Sequence, residues 1–154
     1  MNILIRRGSL GKLNFSLWLA LAASGCTAAA PRTLVLSHGP ETATALMAAH
    51  PPEAGRNVTP YFLEESRHTS RHLIWIRDRE TPHFHANHDL VVVLLEGRGT
   101  LWLHGQEIPM TVGDVAVIPA GAPHYFVNTG DKPAAAFAVY SPPSDGGDVV
   151  PVAP

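Results

Sequence analysis

The chain has 154 residues, 45% hydrophobic and 16% charged, which excludes wholesale disorder and fits one domain. A formal net charge of −2 excludes a strongly basic nucleic-acid-binding surface, and a single Cys excludes a disulfide framework and any multi-Cys zinc site. Nine His in so short a chain, and a lone Cys near its start, are the features that need an account.

At the N-terminus, Arg6, Arg7 and Lys12 precede an apolar run of nine residues, Phe15 to Ala23. A membrane-spanning helix needs about 20 residues, so this run reads as the core of an export signal. It leads into Ala23-Ser24-Gly25-Cys26, which resembles the lipobox of bacterial lipoproteins, with Ala23 standing where that motif usually has Leu. The resemblance implies removal of residues 1–25 as a signal peptide and lipidation of Cys26 as the new N-terminus. The competing reading is plain secretion with a cut near Ala28 to Ala30, against which Pro31 argues. Loss of the three basic residues leaves eight against 13 acidic ones, a formal charge of −5. Membrane attachment would then rest on the lipid and not on a basic patch. The expected location is the bacterial cell envelope, facing the periplasm or the exterior, with no free thiol left.

Residues 26–58 read as a lipidated tether and N-terminal extension, with a short Ala-rich helix over Glu41 to Ala49 that Pro51-Pro52 ends. From residue 59 the pattern changes to short strands between turn residues. Pro60 to Glu65 and His72 to Arg77 come first, and the continuous apolar run Leu90 to Leu95 reads as a buried strand. Gly97-Arg98-Gly99 interrupts it, and strands follow over Thr100 to Leu103, Val115 to Ile118, His124 to Val127 and Ala134 to Tyr140. Turns fall at His104-Gly105, Pro119 to Pro123 and Asn128 to Asp131. Strands at such spacing predict an all-β sandwich or barrel over 59–141. The tail 142–154, rich in Pro, Gly and Asp, is expected to be flexible.

Two clusters carry chemistry. In His83-Phe84-His85, residues two apart in a strand point to one side, so both imidazoles aim at one point, as a metal requires. His88-Asp89 follows, and the segment ends at Gly97. The second cluster is Gly113, Pro119, Gly121, His124 and Asn128, matching G-x5-P-x-G-x2-H-x3-N at every fixed position. At roughly one in twenty per position, chance agreement is on the order of 10⁻⁷ per start.

This cluster resembles the second motif of the cupins, and the first cluster resembles their first motif, G-x5-H-x-H-x3–4-E-x6-G. The resemblance covers roughly residues 60–140 and implies a double-stranded β-helix, or jelly-roll barrel, with the short N-terminal helix or extension outside it. It also implies a divalent transition metal (Fe, Mn, Ni, Cu or Zn) on His83, His85 and His124. Two positions depart from the family. Arg77 stands at the first Gly, and the ligand Glu falls on Leu90 when counted back from Gly97 but on Asp89 when counted from His85. Three options stay open: Asp89 reaches the metal, His88 does, or three His suffice with water.

The other conspicuous residues have plainer readings. Gly113, Gly121 and Asn128 serve turns; Trp75, Trp102 and Tyr125 pack in the core or at an interface. Phe126 shares the parity of His124 and is assigned to the core, with a pocket position as the alternative. His38, His50, His68, His72 and His104 are expected to be solvated. Function reads as an exported, lipid-anchored, metal-binding cupin that takes a small-molecule substrate or ligand. A non-haem metal-dependent dioxygenase is the leading form; a non-catalytic binding module and a cupin isomerase or lyase are the alternatives. Membrane contact is expected through the lipid only, and a homodimer is an option that the resemblance carries.

Overall fold

The computed structural model describes residues 32–152. The signal segment 1–25, Cys26 and its expected lipidation lie outside the described residues, as do 153 and 154.

β1 (Thr33–Leu36) and β2 (Gly39–Thr42) form a hairpin, with Leu36 opposite Gly39. α1 (Ala43–Ala49) follows at once, capped by Thr42, whose Oγ1 accepts the Ala45 N–H at 3.1 Å. The helix starts two residues later than its composition predicts, because the sequence before the cap is spent on pairing with β1.

Ten strands complete the described chain: β3 (Val58–Glu65), β4 (Ser70–Ile76), β5 (His83–His85), β6 (Asp89–Glu96), β7 (Arg98–Leu103), β8 (Gln106–Thr111), β9 (Val115–Ile118), β10 (His124–Asn128), β11 (Ala134–Ser141) and β12 (Val149–Pro151). They form two five-stranded antiparallel sheets, ordered β12-β5-β10-β7-β8 and β3-β4-β11-β6-β9. This is the all-β jelly roll that the strand spacing and the two motifs predict.

Period-2 alternation assigns the faces. On β6, Leu90, Val92 and Leu94 point between the sheets, while Val93 and Leu95 point outward under α1. That burial on both faces accounts for the apolar run Val92 to Leu95, while Val91 is exposed. On β4, Ile74 and Ile76 face inward, and Leu73 and Trp75 face the helix. Leu46 of α1 packs there, and the Trp75 indole N–H donates to the His50 carbonyl at 2.6 Å.

Two strands carry no apolar alternation that would predict them. β8 contains Pro109 and is exposed except at Met110; as an edge strand it needs neither a full ladder nor a buried face. β12 lies within the segment 142–154 that the composition reads as a tail. Its three residues pair with β5 in the register Val149–His85, Val150–Phe84, Pro151–His83. All three are exposed, so the strand is held by backbone bonds and by Asp148 beside it, not by apolar burial.

Candidate metal centre

β5 and β10 are neighbours, with His83 directly opposite His124. Parity sends His83, His85 and His124 into the space between the sheets. Two turn residues of the second motif hold this register. The Gly121 N–H donates to the His85 carbonyl at 2.7 Å, and the Ala122 N–H closes the turn on the Pro119 carbonyl at 3.1 Å. Gly121 has φ +77°, in the left-handed region that favours glycine. Asn128, at the far end of β10, donates to the Arg77 and Lys132 carbonyls, both at 2.8 Å, and accepts the Gly130 N–H at 3.0 Å.

One ring nitrogen from each of the three His lies within 4.8 Å of the others. Their hydrogen bonds identify which. His83 Nδ1 donates to the Thr81 carbonyl at 2.8 Å, His124 Nδ1 to the Ala122 carbonyl at 2.9 Å, and His85 Nδ1 to Asp148 Oδ1 at 3.3 Å. Carbonyls and carboxylates only accept, so each Nδ1 carries the proton and each Nε2 keeps its lone pair. Burial favours the neutral rings. It lowers the pKa of His85 below the usual imidazole value, and it lowers that of His124 to about 4, against a raising bond to Ala122. Three imidazoles with their Nδ1 atoms tied to acceptors and one ring nitrogen each within 4.8 Å of the others are a donor set able to hold a divalent metal.

Neither candidate for a fourth ligand joins them. Asp89 is exposed, and its Oδ1 accepts the Ala120 N–H at 2.9 Å. It is one residue out of phase with Leu90, whose side chain points inward. His88 is buried, but its Nδ1 faces Asp148 and its Nε2 donates to the Pro143 carbonyl at 3.1 Å, so both ring nitrogens are already engaged. Leu90 lies in the cavity wall.

The triad opens into a cavity of about 600 Å³. Its far wall is aliphatic, built from Ile74, Ile76, Leu90, Val92, Leu94 and Ile118, with Phe126 and Met110 beside them. Phe126 therefore meets both of its readings, since it packs in the core and lines the cavity. No Lys or Arg is among the described residues that line it. Trp75 is core as expected, while Trp102 and Tyr125 stack on the outer surface at 5.6 Å and 6°.

The site also holds residues that the sequence does not announce. Glu80 enters the cavity just before β5, its Oε2 accepting the Phe126 N–H at 2.9 Å. Burial pushes its carboxyl above the usual range, opposed by the charge of His83. Tyr140, on β11, stands with its ring 5.2 Å from that of His85, and burial pushes its phenol well up. His72 is not solvated as expected. It shares the inward parity of Ile74 and Ile76, sits edge-on to Tyr140 at 5.0 Å, and burial lowers its pKa. His50 is also half-buried, its Nδ1 donating to the Leu46 carbonyl at the end of α1. The signal for His72 was strand parity; for Glu80, Tyr140 and Asp148 only the tertiary pairing supplies it.

The family description "Cupin domain" matches residues 74–140. The chain is 41% identical over 88 residues to an uncharacterized protein of Aquifex aeolicus (strain VF5), covering 57% of this chain and 72% of that one. It is 39% identical over 49 residues to the quercetin 2,3-dioxygenase of Bacillus subtilis (strain 168), covering 32% of this chain and 14% of that enzyme. Among solved structures, TT1209 from Thermus thermophilus superposes with a TM-score of 0.57 at 23% identity, covering 64% of this chain and 95% of that one.

Proposed function

The chain belongs to the cupin family, and from that premise we propose that it is an exported, lipid-anchored enzyme that holds a divalent metal on His83, His85 and His124 and acts as a dioxygenase. The observation that carries the reading is the triad itself: three imidazoles, His85 and His124 buried and His83 half-buried, with their Nδ1 atoms tied and one ring nitrogen of each within 4.8 Å of the others beside one cavity. A redox-active ion such as Fe(II) or Mn(II) would supply Lewis acidity and one-electron chemistry toward O2 there.

The protein's own residues do the rest. The aliphatic wall excludes water and packs an apolar body. Phosphorylated substrates are disfavoured, because the lining holds Glu80 and, among the described residues, no Lys or Arg to pair a phosphate. The substrate class that fits is a small, largely apolar molecule with adjacent oxygen donors, such as a diketone or a flavonol. Glu80, held by the Phe126 N–H, is placed to exchange a proton with a substrate hydroxyl. The local likeness to a quercetin 2,3-dioxygenase supports the same direction.

The test is elemental analysis of protein purified without a metal-affinity tag, then oxygen uptake by the Fe(II), Mn(II), Ni(II) and Cu(II) forms with diketones, flavonols and thiols. Bound metal with uptake on any one substrate supports the reading. No uptake across the panel sinks the dioxygenase assignment, and unchanged metal content after joint replacement of His83, His85 and His124 by Ala sinks the site. For the anchor, Cys26→Ala should release the protein from envelope membranes; membrane association at the wild-type level would refute lipidation.

A further inference from the structure

We propose that Asp148, delivered by the C-terminal strand, is the positioning residue that fixes His85 as a ligand, so that residues after the barrel complete the metal site. The inference rests on the reading of the triad as a metal centre.

The three His are oriented in two different ways. His83 and His124 each donate Nδ1 to the carbonyl two residues earlier in their own segment, Thr81 and Ala122. His85 has no such local partner; its Nδ1 donates to a carboxylate 63 residues away.

That carboxylate is itself firmly held. Asp148 Oδ2 accepts the Asn87 N–H at 3.2 Å and a bond from His88 Nδ1, and the Asp148 carbonyl accepts the Ala86 N–H at 3.2 Å. The Val152 N–H donates to the Pro82 carbonyl at 3.0 Å, which fastens the other side of β12. The Asp148 side chain is 7% exposed. An immobilised carboxylate acceptor on Nδ1 fixes the tautomer and ring plane of His85 and strengthens Nε2 as a donor. His88 thereby acquires a role other than ligation, bracing Asp148 against Pro143.

The experiment has two readouts. Long-range ¹H–¹⁵N spectra of the imidazoles in metal-free protein report which nitrogen of each His carries the proton, and titration with Co(II) or Zn(II) reports affinity. Wild type should show His85 protonated at Nδ1. Asp148→Ala should turn His85 into a tautomer mixture, leave His83 and His124 unchanged, and weaken metal binding about 10- to 100-fold. His88→Gln, which leaves the bond to His85 in place, should lose far less affinity. A folded Asp148→Ala protein with the wild-type His85 tautomer and affinity would overturn the proposal. Should that variant not fold, the wild-type spectrum decides, and a His85 unprotonated at Nδ1 overturns it. Wild type that binds neither metal but shows the tautomer set by Asp148 overturns the metal reading and leaves the positioning bond standing.

Discussion

His124 offers the sharpest quantitative test of the site's electrostatics, in protein freed of metal. Its ring is buried with the neutral form favoured, and its pKa falls from 6.5 to about 4. Between those values the unfolded chain binds a proton that the folded chain refuses, so stability falls as pH falls through this window. A separation of about 2.5 units at about 1.36 kcal/mol per unit amounts to about 3 kcal/mol, present near pH 7 and largely gone at pH 4. Against a domain stability of roughly 5–15 kcal/mol, that loss is readily measured. Urea unfolding of wild type and His124→Gln at pH 7 and at pH 4 isolates it, because carboxylates that titrate in the same range are common to both proteins. The wild type should lose about 3 kcal/mol more than the variant on acidification. Part of that difference passes through His83 and His85, whose charges disfavour protonation of His124, and it has the same sign. Equal losses in the two proteins would mean that His124 is not a buried neutral ring, and the argument for three ready Nε2 donors would fail with it.

Two further outcomes are expected. A methyl group at Gly99 would lie 2.2 Å from Phe126 Cζ and 2.3 Å from the Val127 carbonyl oxygen, and the second of these is backbone in the neighbouring strand. Gly99→Ala should therefore cost about 1–3 kcal/mol in urea unfolding, and an unchanged midpoint would refute the packing of β7 on β10. Asp89→Ala should lose about 1 kcal/mol with its bond to the Ala120 N–H but keep its metal stoichiometry; a metal-free variant would reinstate Asp89 as a ligand.

The fold was legible because its signals are local. Turn residues at fixed spacing and apolar parity on β4, β6, β10 and β11 are properties of segments shorter than ten residues, and the second motif adds a register that few folds share. The triad was legible for the same reason, since each His sits in a motif. What escaped the sequence is non-local or weakly amphipathic. β12 has three exposed residues and no alternation to read, and its partner strand lies more than sixty positions earlier. Glu80 and Asp148 are single carboxylates in polar surroundings whose burial follows only from strand pairing. His72 is the instructive miss: once β4 is placed, Ile74 and Ile76 fix the inward face, and position 72 must share it.

That parity also explains how the site manages without the family's carboxylate ligand. The sheet containing β5 and β10, with the segment before it, lines the cavity with His83, His85, His124, Glu80 and Thr81 and also with Leu101, Met110 and Phe126; the opposite sheet contributes Ile74, Ile76, Leu90, Val92, Leu94 and Ile118 together with His72 and Tyr140. Leu90 is on β6, in the aliphatic sheet. A Glu there would place a charge against Ile118 and Tyr140, its register partners on both sides, and would split the apolar wall. With Leu90 the wall is continuous. The remaining carboxylates stand behind or beside the His instead of across from them, Asp148 on His85 and Glu80 near His83.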